Sequence, residues 1–120
     1  MADYSLARRR RVRLGHVAEW AAAACLMLRG YRILARRWKT PGGEIDLIAL
    51  RGRRLAFVEV KHRALLVEAE ASITVRQRRR IRHGAGLWLA RHAAYCNHEI
   101  GFDLVFVLPR QWPIYIKNGL

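Results

Sequence analysis

The chain has 120 residues, 52% of them hydrophobic, and carries 23 Lys and Arg against nine Asp and Glu, a formal net charge of +14. That length holds one core and not two, and that apolar fraction excludes wholesale disorder. Lys39, Lys61 and Lys117 are the only lysines, so the other 20 basic residues are arginine.

Such an excess of positive charge points to a polyanionic partner, because each phosphate neutralised by Arg or Lys releases condensed counterions. Arginine adds a planar fork that grips phosphate in bidentate fashion. An arginine-rich proteome would account for arginine over lysine, but not for the excess itself. Nucleic acid is therefore the expected partner. No membrane span is expected: the longest apolar run, Trp20 to Leu28, covers nine residues, about half of what a crossing helix needs. The basic cluster before it superficially resembles a signal peptide, but Glu19 interrupts the stretch and GYRIL follows it, so the segment is expected to be part of the mature protein. Cys25 and Cys96 show no CxxC spacing and no His at zinc-ligand intervals. A reducing, cytoplasmic setting is expected, with Cys25 as a small core residue.

Residues 1–13, with Arg8, Arg9, Arg10 and Arg11, form a basic arm expected to be mobile at its start, and 14–120 a single domain. Gly15 to Arg29 predicts a helix, closed by Gly30 as its C-terminal cap. Tyr31 to Trp38 predicts a strand, and Thr40 to Gly43 a turn. Two strands follow at about 44–50 and 54–61, joined by Gly52 and Arg53. A polar region at 68–71 leads into a second helix that starts at Ser72 or Thr74 and ends near His92. Phe102 to Leu108 is a buried strand. Trp112 to Lys117 is a short last one, which Pro113 marks as an edge or a strand start. The expected fold class is α/β, a mixed central sheet flanked by helices in the order α-β-β-β-α-β-β.

Three of the nine acids lie in the most strand-like stretch, GGEIDLIALRGRRLAFVEVKHR. With Arg51 and Arg54 closing the hairpin turn, Asp46 falls opposite Glu59 and Glu44 opposite Lys61. Opposed residues have Cβ atoms about 4.5–5.5 Å apart, where like charges are destabilising. One carboxyl is then protonated, or an arginine neutralises the pair, or a cation sits between them. A hard divalent ion suits two carboxylates, and Lys61 beside it could orient or help deprotonate an attacking water and offset charge on a phosphorane. Two other readings stand beside this one. In one the register is offset by an odd number; in the other Asp46 and Glu59 pair with Arg51, Arg53, Arg54 or Arg63.

The D…ExK pattern of Asp46 with Glu59-Val60-Lys61 resembles the PD-(D/E)xK nuclease superfamily. GEIDLIA (Gly43 to Ala49) with FVEVKHR (Phe57 to Arg63) is more closely similar to the YraN family, related to Holliday-junction resolvases. Gly15 and Glu19, GYRIL, SITVRQRRRI and FDLVFV extend the likeness over nearly the whole chain. The resemblance implies a restriction-endonuclease-like core and Mg²⁺- or Mn²⁺-dependent hydrolysis of phosphodiester bonds in DNA, branched or single-stranded substrates included. It implies metal binding by Asp46, Glu59 and the Val60 carbonyl, catalysis by Lys61, and a Glu19 that helps hold metal or water. Relatives acting as homodimers make a homodimer the expectation by analogy. The alternative is a non-catalytic nucleic-acid-binding module with a vestigial or partner-dependent site.

Independently of that likeness, Glu19 shares an apolar helical stripe with Ala22, Ala23 and Leu26, where a carboxylate should be coordinated or paired with an arginine. Gln77 shares a stripe with Ile81, Ala85 and Trp88, so it is expected to face the sheet and reach the site, although close relatives often carry lysine there. Ile45 stands where the superfamily name has proline. Gly101 stands where an arginine commonly precedes Phe-Asp, removing one phosphate contact, and Asp103 is expected to be structural. Arg76, Arg78, Arg79, Arg80 and Arg82 crowd two turns without an interleaved acid. They are expected on the solvent side, as a phosphate-binding face rather than a merely solvated one. His62 should point away from Lys61, and Trp38, Trp88 and Trp112 are expected as core anchors.

Overall fold

The computed structural model describes residues 2–120 in backbone, and the side chains of 6–9 and 15–120. Helix α1 (Ala2–Leu28) leads into strands β1 (Arg32–Thr40), β2 (Gly43–Arg51) and β3 (Arg54–His62). Helices α2 (Leu66–Ala71) and α3 (Val75–Arg91) come next, then β4 (Glu99–Val107) and β5 (Ile114–Ile116). The sheet order is β1-β2-β3-β4-β5, with β3 and β4 parallel and the other neighbours antiparallel. The parallel pair needs a crossover, and the α2–α3 segment supplies it. No helix among the described residues is long and apolar enough to cross a membrane.

The period-two alternation of β2 and β3 sorts side chains to two faces. Leu47, Ala49, Ala56 and Val58 pack under Ala22, Ala23 and Leu26 of α1. Leu55 and Phe57 pack with Ile48 against Ile81, Ala85 and Trp88 of α3, where the Trp88 ring meets Phe57 edge-on at 5.9 Å between centroids. The close seat of α3 depends on Gly84: a Cβ there would come within 2.9 Å of Thr40 and 3.1 Å of Ile45. Cys25 is buried, as its expected core role requires.

Several expectations are corrected. The first helix begins at Ala2 rather than Gly15, since Ala, Leu and Arg are all good helix formers and a helical backbone propagates cheaply once nucleated. Arg8 and Arg9 are exposed on it; the side chains of Arg10 and Arg11 lie outside the described residues. The polar region at 68–71 forms part of a separate short helix, α2. Thr74, not Ser72, caps α3 through a reciprocal pair of hydrogen bonds with Gln77. Trp112 is 76% exposed and anchors no core, because it lies in the connection before β5 rather than within the strand.

One buried charge network ties the far edge of the sheet together. Asp103 is fully buried and accepts two hydrogen bonds from Arg54, at 2.6 and 2.7 Å. It also accepts one from the Tyr115 hydroxyl and one from the Asn118 amide. Burial pushes the Asp103 carboxyl up, but Arg54, Tyr115 and Asn118 outweigh it and hold the group below the usual carboxylate range. Gly101 makes this possible, since a Cβ there would lie 2.1 Å from Arg54 Nη2. Asp103 is thus structural, and Arg54 is spent on it rather than on Asp46 or Glu59.

Candidate active site

The hairpin register is as the sequence predicts from Arg51↔Arg54 to Leu47↔Val58. There the ladder stops. β3 continues beside β4 to His62, while β2 stays with β1 as far as Gly43↔Thr40. Asp46 fills the fork: its Oδ2 accepts the Val60 backbone N–H at 2.8 Å, in place of a strand-to-strand bond. The N–H and C=O of one strand residue leave by the same edge, so the Val60 carbonyl faces the same gap. Asp46 and Glu59 are therefore not a direct ladder pair, yet their carboxylates interact. Glu44 is not opposite Lys61; it pairs with Lys39 of β1, because the fork carries the end of β2 away from β3.

Burial pushes the Asp46 carboxyl up to about 7, and the negative charge of Glu59 adds to the effect. The Val60 amide and Lys61 oppose it, while Glu19 adds a smaller upward push. Glu59 and Lys61, two apart on β3, share one side of the strand, and Lys61 Nζ lies 3.4 Å from Glu59 Oε1. Both are buried. Arg80 reaches the same oxygen, with Nη2 at 3.5 Å. This corrects the expectation that all five arginines of α3 face solvent. Arg80 lies four residues before Gly84 on the buried stripe, and it passes over Gly43, where a Cβ would sit 2.9 Å from its Cδ. The stripe spacing and the paired glycines were the available signals.

Glu19 approaches from α1. Its Oε2 is buried without a hydrogen-bond partner and lies 3.8 Å from Arg37 Nε. Desolvation raises its pKa, with Arg37 and His16 opposing. Arg37 also lies 3.9 Å from Glu44 and donates to His16 Nε2 at 2.7 Å. It holds a φ of +51°, uncommon for a residue with a side chain. Nothing in the sequence marks that backbone or that role. Gln77 Oε1 accepts the Thr74 amide in the cap of α3. Arg76, Arg78, Arg79 and Arg82 are exposed, and Arg82 lies over the Phe102 ring and donates to the Leu120 carbonyl.

Among the described residues, no three His, Cys, Asp or Glu side chains gather closely enough to make a cation site alone. The donors at the fork are two carboxylates and a backbone carbonyl, all hard oxygens, with Glu19 Oε2, which accepts no hydrogen bond, to one side. That set fits Mg²⁺ or Mn²⁺, which bind through few carboxylates and keep several waters. A cation would also relieve the repulsion that raises the Asp46 pKa.

Residues 18–107 match the family described as "Uncharacterised protein family UPF0102". A UPF0102 protein of Chelativorans sp. (strain BNC1) is 51% identical over 117 residues, covering 98% of this chain and 94% of that one. Another, from Mesorhizobium japonicum, is 52% identical over 115 residues, covering 96% and 92%. A third, from Methylorubrum extorquens, is 49% identical over 118 residues, covering 98% and 92%.

Proposed function

This chain belongs to the UPF0102 family, within the restriction-endonuclease-like superfamily, and from that premise we propose that it is a metal-dependent nuclease acting on DNA. The observation that carries the reading is the convergence at the fork. Asp46 and Glu59 interact there, and the Lys61 ammonium stands 3.4 Å from Glu59.

Asp46, Glu59 and the Val60 carbonyl would hold Mg²⁺ or Mn²⁺, with Glu19 completing the set from α1. When bound, such a cation supplies Lewis acidity that polarises the phosphoryl oxygen and acidifies water. Lys61 orients the attacking water and offsets the negative charge that grows on the phosphorus oxygens as the P–O bond breaks. Its burial makes that charge worth more than it would be in bulk water. Arginines on α3 and at the start of α1 hold the flanking phosphates.

The test is a cleavage panel of duplex, branched, single-stranded DNA and RNA substrates with Mg²⁺ or Mn²⁺. Lys61→Ala should lose about 10²–10³-fold in rate while keeping its affinity for the substrate, and Glu59→Ala should be inactive. Equal cleavage by Glu59→Ala would assign the activity to a contaminant and end the reading. A second reading has its own support. Lys61 and Arg80 already neutralise Glu59, which favours a nucleic-acid-binding module whose site needs a partner. Tight binding with no cleavage of any substrate selects it.

A further inference from the structure

The first turns of α3 and the β1–β2 turn border an open cavity of about 440 Å³, lined by Gly42, Arg76, Gln77, Arg79, Arg80 and His83. Three arginines and a histidine line it, and no carboxylate is among the lining residues. Like charges so placed repel, and an anion between them relieves the repulsion. The guanidinium fork is matched to the oxygens of a phosphate.

Arg80 belongs to two places at once. It lines this cavity, yet its Nη2 reaches Glu59 Oε1 at 3.5 Å and its Nε is buried without a partner. We infer that the cavity is a subsite for a nucleic-acid backbone phosphate, and that its occupancy is linked through Arg80 to cation binding at Asp46 and Glu59. The linkage rests on the metal-site reading above; the subsite does not.

While Arg80 pairs with Glu59, it holds the positive charge that a cation would otherwise bring. A phosphate in the cavity competes for the same guanidinium and draws it away, leaving the Glu59 carboxylate to the cation. The coupling is reciprocal: a cation on the carboxylates frees Arg80 for phosphate. Metal loading is thereby tied to the presence of substrate.

The experiment measures Mn²⁺ binding calorimetrically on the full chain, first alone. It is repeated with a short single-stranded DNA oligonucleotide, with the same oligonucleotide carrying neutral methylphosphonate linkages, and with sulfate. The charged oligonucleotide should tighten Mn²⁺ binding about tenfold, and the neutral one should not. Arg80→Gln should bind Mn²⁺ more tightly than the parent chain without DNA and gain nothing further from it. The double variant Arg79→Ala with His83→Ala should need more oligonucleotide for the same effect. An equal gain in Arg80→Gln would mean that phosphate touches the cation directly, and no gain in the parent chain would mean no coupling; either overturns the linkage. An unshifted oligonucleotide requirement in the double variant overturns the subsite, and sulfate matching the oligonucleotide at equal concentration overturns its assignment to nucleic acid. Mn²⁺ binding that survives Asp46→Asn defeats the metal reading itself. Binding that depends on Asp46 but ignores DNA defeats the linkage alone.

Discussion

Asp46 is a single residue whose charge the fold holds at a cost. Its carboxyl is pushed to about 7 by burial and by Glu59, so near neutral pH the fork holds a carboxylate at a cost. Asparagine is nearly isosteric, and its Oδ1 can still accept the Val60 N–H, while the repulsion from Glu59 disappears. Asp46→Asn should therefore raise metal-free stability by about 1–2 kcal/mol, as substitutions at strained functional sites do, and should lose Mn²⁺ binding. Chemical denaturation at pH 8 checks the first outcome and calorimetry the second; a less stable Asp46→Asn protein would show that the carboxylate is a structural group. Arg37 makes a similar point. It faces Glu19 and Glu44 from a backbone conformation that no pattern in the sequence announces.

At the scale of elements, the fork between β2 and β3 makes the site, and the Arg54–Asp103 pair secures the opposite edge of the sheet. Arg54 begins β3, Asp103 lies in β4, and Tyr115 in β5 bonds to the same carboxylate. Breaking such a buried pair by removing one partner costs about 3–5 kcal/mol, and Asp103→Ala should be destabilised to that extent in denaturant melts. The pH dependence follows from the sign of the shift. Asp103 has a folded pKa below its unfolded one, so its contribution is fully present above the unfolded value near 3.8. That contribution is lost as pH falls toward the folded value. The parent chain should lose stability below about pH 4, and Asp103→Asn should show a flatter acid limb. Equal acid limbs would place the sensitivity in other carboxylates.

Across the whole molecule, the charge of +14 is unevenly used. Arg54 is buried in its network and Arg80 is turned toward Glu59. Arg76, Arg78, Arg79, Arg8 and Arg9 stay exposed. If the exposed group holds DNA, affinity should fall steeply with salt, by about 0.9 in log–log slope for each phosphate neutralised. Deleting residues 1–13 should lower that slope, as measured by fluorescence anisotropy across a salt series. An unchanged slope would show that the first half of α1 makes no phosphate contact. The deletion also truncates α1, so the measurement belongs beside a helicity and melting check.

Sequence alone determined the alternation of β2 and β3, the turn at Gly52-Arg53, the buried stripe of α3 and the acids that would converge. All of these follow from local periodicity and turn chemistry, which a few neighbouring residues fix. It did not determine where the ladder ends, that Asp46 would take the Val60 amide, that Arg80 would turn inward, or that Arg54 would spend its charge on Asp103. Those contacts join residues 14 to 49 positions apart, and the two arginine pairings depend on which of 20 near-equivalent arginines the packed sheet brings within reach of which acid. A charge pairs with what folding places beside it, and that choice belongs to the tertiary structure.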